Sequence, residues 1–74
     1  MPHFQIKLLE GKTDEQKQRL ATEIVKVARE ILGYGEESFS VAINDCSLDV
    51  WKKEVYPEIM KQSDELFKQP GYKM

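Results

Sequence analysis

Apolar and polar residues alternate along "HFQIKLL", residues 3–9, with Phe4, Ile6 and Leu8 on one side and Gln5 and Lys7 on the other. A period of two belongs to a strand with one buried face. The alternation breaks in "EGKTDEQ" at Gly11, and Thr13 followed three residues later by Gln16 has the form of a capping box, which predicts a helix starting at Thr13. Beyond it Leu20, Ile24, Val27 or Ala28, and Ile31 recur at helical spacing, while Lys17, Arg19, Glu23, Lys26 and Glu30 fill the other faces. Gly33 supplies the stop signal and "GYGEE" the loop, after which "SFSVAI", residues 38–43, alternates again with Phe39, Val41 and Ile43 on one face. Strand, helix and strand in this order make a βαβ unit, with parallel strands joined by a right-handed crossover.

The second half is patterned less strongly. "NDCSLDVW" carries Asn44, Asp45 and Ser47, residues that favour turns and caps, and predicts an irregular segment with one short helical turn. Asp45 and Asp49 there read as caps rather than as an acid pair. Pro57 disfavours helical geometry at Tyr56 and suits the first turn of a helix, so "PEIMKQSDELFKQ", residues 57–69, is expected to be the second helix, stopped before Pro70 and Gly71. The fold class expected is α+β: a βαβ unit plus a C-terminal helix.

With 74 residues there is room for one domain spanning 1–74. A chain of this size buries only about 60% of its unfolded surface, and two parallel strands are too few for a stable buried sheet. A second copy extending the sheet to four strands about a two-fold axis is the simplest remedy. The net charge of −2 is spread over acids and bases along the whole chain, with no basic block to track a phosphate backbone, which argues against nucleic acid. No stretch approaches the roughly 18 apolar residues of a membrane span and no charged start leads into a secretory apolar run, so a cytoplasmic location is expected. The single cysteine, Cys46, has no partner for a disulfide and no neighbouring ligands at metal spacing. Neither a metal nor a nucleotide motif is present, so no cofactor is expected.

The candidate chemistry lies at the start of the chain. Once Met1 is removed, Pro2 ends in a secondary amine, somewhat more basic than the about 7.7 to 8.0 of an ordinary α-amine and titratable near working pH. With Met1 in place the same nitrogen is an amide and no base. Other residues have structural readings of their own: Lys12 as a surface lysine before a helix, Ser40 on the polar side of strand two, Trp51 as the sole tryptophan in core or interface, and His3 as a hydrogen-bonding group of the first strand pair.

Taken together, the Met-Pro start, the run Leu9-Glu10-Gly11-Lys12-Thr13-Asp14-Glu15-Gln16-Lys17, the βαβ unit, an aromatic soon after strand two and the terminal "PGYKM" resemble the tautomerase superfamily typified by 4-oxalocrotonate tautomerase. Within it the chain is similar to the slightly longer, dimeric bacterial members of the phenylpyruvate-tautomerase type. The resemblance implies Pro2 as the catalytic base. It puts Lys12 where the family has an arginine after Glu-Gly, holding a substrate oxygen or carboxylate, and Trp51 where the type enzyme has the phenylalanine of its active-site wall. Ser40 falls where the family has a second arginine and departs from the pattern, leaving one hydrogen-bond donor and favouring a monocarboxylate substrate. The activity implied is cofactor-independent keto-enol tautomerisation of small 2-oxo acids such as phenylpyruvate, in a homodimer in preference to a hexamer. Two other readings stand beside it: a related proline-dependent hydratase, dehalogenase or decarboxylase, and a catalytically inert dimeric module that only binds small molecules.

Overall fold

The structure, a computed structural model, describes residues 1–74. Strand β1 runs His3–Leu9, helix α1 Asp14–Leu32 and strand β2 Ser40–Cys46, with a short 3-10 turn at Glu36–Ser38 before β2. Thr13 caps α1 reciprocally: its Oγ1 accepts the Gln16 N–H at 3.1 Å and its own N–H donates to Gln16 Oε1 at 3.0 Å. Gly33 ends the helix in the left-handed region at φ 79°, where its N–H donates to the Arg29 carbonyl. Asp14 and Glu15 in the first turn and Arg29 in the last complement the helix dipole.

β1 and β2 pair in parallel, from His3 opposite Ser40 to Leu9 opposite Cys46. This register puts His3, Gln5 and Lys7 on one face with Ser40, Ala42 and Asn44. Phe4, Ile6 and Leu8 share the other face with Val41, Ile43 and Asp45, and α1 lies over it. The result is the expected α+β arrangement, a βαβ unit followed by helix. Only Ala28 and Val55 are buried, and Val27, Ile31 and Leu32 on α1 remain largely exposed.

Two boundaries differ from the sequence pattern. β2 begins two residues later than Ser38 and continues through Asn44 and Asp45, which the pattern gave to a turn. The ladder to β1 decides this, because pairing through Leu9 gives those backbone groups partners that a turn would have supplied by itself. Their side chains are also engaged: Gln5 donates to Asn44, and Lys17 Nζ lies 2.5 Å from Asp45 Oδ2. Asp45 is therefore not a cap, and Asp49 pairs with Lys53 at 3.2 Å. The cap is Ser47, whose Oγ accepts the Val50 N–H at 3.2 Å.

The C-terminal helix starts nine residues earlier than Pro57 and ends at Lys61, not Gln69. α2 (Leu48–Val50), a π-type turn (Trp51–Val55) and α3 (Tyr56–Lys61) run end to end. Pro57 offers no N–H to the carbonyl one turn back. The widened turn absorbs this, with Tyr56 in helical geometry donating its N–H to the Trp51 carbonyl five residues back. At the far end Gln62 leaves the helical region (φ −96°, ψ 22°) and Ser63–Glu65 tighten into a 3-10 turn. Ser63 favours local turns, and the carboxylates of Asp64 and Glu65 oppose the negative end of the helix.

Candidate active site

Pro2 stands at the head of β1, half-buried, with its carbonyl accepting the Ser40 N–H at 3.2 Å. That bond ties Pro2 to the start of the sheet through its carbonyl and leaves its nitrogen outside the ladder. Next to it His3 Nδ1 and Ser40 Oγ are 2.6 Å apart. An aromatic group sits at the same end of the sheet: Phe4 stacks on Phe39 with ring centroids 6.3 Å apart, and Tyr34 meets Phe39 edge-on at 6.3 Å. Phe39 and Tyr34 were not singled out in the sequence, where Tyr34 lies in a glycine-flanked loop and Phe39 counts only as a core position.

Lys12 is placed at the opposite end. It follows Gly11, whose φ of 117° turns the chain out of β1, and it lines an open depression with Leu8, Gln16, Lys17 and Leu20. The two lysines of that depression differ. Lys17 is held by Asp45, and this hydrogen bond, with the attraction of Asp45 and Asp14, raises its pKa above the ordinary lysine value against a smaller opposing effect of desolvation. Lys12 has no carboxylate within ion-pair distance, so its charge is open to a ligand.

Trp51 is the first residue of the π-type turn. It borders an open groove with Gln5, Lys7, Val55, Glu58, Ile59 and Gln62, and its Nε1–H donates to Tyr72 Oη at 3.3 Å. Lys7 is thus a cation in the groove that the tryptophan borders. The alternation of β1 put it on the polar face but gave no sign of what it would face.

The structure brings Pro2 and Ser40 together and keeps Lys12 and Trp51 apart from them. Ten residues of extended chain span about 30 Å at ~3.3 Å each, so Lys12 does not reach the Pro2 of its own chain. No three His, Cys, Asp or Glu side chains converge to hold a metal ion, and no helix is long and apolar enough to cross a membrane.

Comparison with known proteins gives this arrangement a family. A family model described as "Tautomerase enzyme" matches residues 2–61. The chain is 36% identical over 73 residues to a probable tautomerase of Xylella fastidiosa (strain 9a5c), covering 97% of this chain and 89% of that one. It is 41% identical over 75 residues to the tautomerase PptA of Klebsiella pneumoniae subsp. pneumoniae, with both chains covered in full. It is also 39% identical over 49 residues to the 2-hydroxymuconate tautomerase of Bacillus subtilis (strain 168), covering 66% of this chain and 79% of that one.

Proposed function

This chain belongs to the tautomerase family and is a tautomerase, and from that premise we propose that it interconverts the enol and keto forms of a small 2-oxo monocarboxylate such as phenylpyruvate, with the Pro2 amine as general base. The observation that carries the reading is the position of Pro2: tied through its carbonyl at the head of β1, its nitrogen free of the ladder, at the end of the sheet that holds an aromatic cluster. In the direction of ketonisation the amine takes the proton of the enol hydroxyl, the oxygen becomes the carbonyl, and the ammonium so formed delivers a proton to the neighbouring carbon. A base of this kind contributes about two to four orders of magnitude. Lys12 holds the developing oxyanion or the carboxylate as a point charge, and Ser40 offers one further donor. Trp51 supplies a dry wall against which an aryl group packs.

This assignment requires a second copy of the chain, because Pro2 and Lys12 lie at opposite ends of one strand. Apolar residues Phe4, Ile24, Val27, Ala28, Ile31 and Leu32 line an open groove beside the free edge of β1. Pairing two β1 edges about a two-fold axis covers that groove and makes a four-stranded sheet in the order β2, β1, β1, β2. The pairing is antiparallel, so Lys12 of the partner subunit comes alongside Pro2. Burying one Val-sized side chain stabilises by about 1.5 to 3 kcal/mol, and with only Ala28 and Val55 buried in one copy a shared core is what such a chain needs.

The test is ultraviolet measurement of enol ketonisation on two forms, one with a free Pro2 and one retaining Met1, each verified by intact mass. Proline as second residue permits methionine removal, and the processed form is expected to turn over phenylpyruvate enol at least about a hundredfold faster. Equal rates reject Pro2 as the base. Preference for 2-hydroxymuconate, the substrate in the name of the Bacillus relative, rejects the monocarboxylate, and no turnover of either leaves a binding module.

A further inference from the structure

We propose that Tyr72 is a positioning residue for Trp51, and that the terminal "PGYKM" segment is thereby part of the device that selects aryl substrates. The inference rests on the reading of Trp51 as the wall of the site. After the 3-10 turn at Ser63–Glu65 the chain has no regular structure, and Phe67 is fully exposed. It returns to the body of the protein at Tyr72, through two contacts that converge on the π-type turn. The Tyr72 hydroxyl accepts the indole N–H of Trp51 at 3.3 Å, and the Tyr72 ring lies 5.7 Å from that of Tyr56 at a 48° tilt.

Trp51 and Tyr56 are themselves joined by the π-type turn, since the Tyr56 N–H donates to the Trp51 carbonyl. The three aromatics therefore form one unit, in which backbone fixes two of them and Tyr72 closes the third side. An indole attached at one end of a helical turn has several staggered orientations open to it. Trp51 makes one side-chain hydrogen bond, the one to Tyr72, and that bond selects among them. A wall held in one orientation accepts a flat ring without first being ordered, and this lowers the cost of binding rather than that of the proton transfer. The Tyr72 hydroxyl acts on substrate through Trp51, so its removal is expected in KM for aryl substrates and not in kcat.

Tyr72→Phe keeps the ring against Tyr56 and deletes only the acceptor oxygen. Exchange of the C3 protons in deuterated water, followed by NMR, gives kcat and KM for phenylpyruvate and for the aliphatic 2-oxobutanoate. Tyr72→Phe is expected to raise KM for phenylpyruvate about three- to tenfold, the range of one neutral hydrogen bond, with kcat and both 2-oxobutanoate constants within about twofold. Fluorescence of Trp51, the sole tryptophan, is expected to shift in the same variant. In a Trp51→Phe background, where no indole N–H remains, Tyr72→Phe is expected to do nothing. An unchanged KM for phenylpyruvate in Tyr72→Phe, an equal loss with both acids, or the same loss in the Trp51→Phe background overturns the proposal. Trp51→Ala separates the two readings: if it leaves KM for phenylpyruvate unchanged, the wall itself is rejected, and if it raises KM while Tyr72→Phe is silent, only the role of Tyr72 falls. Should neither acid exchange, the dissociation constant of phenylpyruvate measured by quenching of Trp51 takes the place of KM with the same outcomes.

Discussion

The two ends of the small sheet are built differently. Where the strands end, nearly every group is tied: the capping box holds Thr13 to Gln16, the Glu10 N–H donates to the Cys46 carbonyl at 2.9 Å, and Lys17 bridges α1 to Asp45 on β2. Where the strands begin, one backbone bond holds Pro2, one side-chain bond joins His3 to Ser40, and Phe4, Phe39 and Tyr34 cluster at the same end of the sheet. The tied end carries Lys12, whose ammonium has no carboxylate partner, and the looser end carries Pro2. The mechanism proposed above uses both, and one chain places them a strand's length apart. On that proposal the two ends form a single site when two copies lie head to tail.

That contrast breaks most sharply by mixing variants. Pro2→Ala and Lys12→Ala are each expected to lower kcat/KM for phenylpyruvate enol, the first by about a hundredfold or more and the second by about tenfold or more. When the two weakened proteins are unfolded and refolded together in equal amounts, half of the dimers are mixed and each mixed dimer carries one intact site. Recovery of about a quarter of the original activity is then expected from a two-fold assembly with shared sites. Recovery no greater than the sum of the two variants shows that Pro2 and Lys12 do not combine across subunits. Analytical ultracentrifugation of the same samples gives the oligomeric state on which the fraction depends.

A smaller effect sharpens the looser end. Ser40 sits opposite His3 and shares a backbone bond with Pro2, so a longer cationic side chain there adds charge close to the amine. Ser40→Arg supplies a fork that suits a second carboxylate. The ratio of kcat/KM for 2-hydroxymuconate to that for phenylpyruvate enol is expected to rise about tenfold, the worth of one added charge-assisted bond. A ratio that stays the same removes Ser40 from the substrate's surroundings and leaves it as the hydrogen-bond partner of His3.

The same contrast explains how far the sequence could be read. The stretch from β1 through α1 was legible because several local signals agreed: alternation in β1, Thr13 with Gln16, the period of α1 and Gly33 all specify one outcome. Pro2 and Lys12 could be named because the motif around them is continuous in sequence. Asn44 and Asp45 were misread because their turn preference is a local property, while the strand they join is fixed by β1, some forty residues away. The second helix was misplaced for a related reason. Pro57 signals a helix start, and only a widened turn, which has no residue signature of its own, lets the helix run through it. Lys7, Tyr34, Phe39 and Tyr72 were given no place at the site because their neighbours come from distant segments, and no spacing along the chain announces such contacts.

The last and smallest prediction concerns the tie that keeps the Lys12 end in place. Lys17 and Asp45 are partly exposed, with side-chain accessibilities of 19% and 40%, so solvent and salt weaken their attraction. Asp45 raises the pKa of Lys17 above the ordinary 10.5, which means the folded chain holds that proton more tightly than the unfolded one. The bridge's contribution is therefore complete below the unfolded lysine pKa and is lost as pH rises through the folded value. Lys17→Met keeps most of the stem and removes the charge. Urea unfolding is expected to show the variant less stable than the original by a margin constant between about pH 7 and about pH 9, which narrows only in more alkaline solution. A margin that already narrows below about pH 9 assigns the loss to another titrating group. Because the Lys17 ammonium is already engaged by Asp45, kcat is expected to stay within about twofold at neutral pH, and any larger loss makes the bridge a determinant of the Lys12 depression that both residues line.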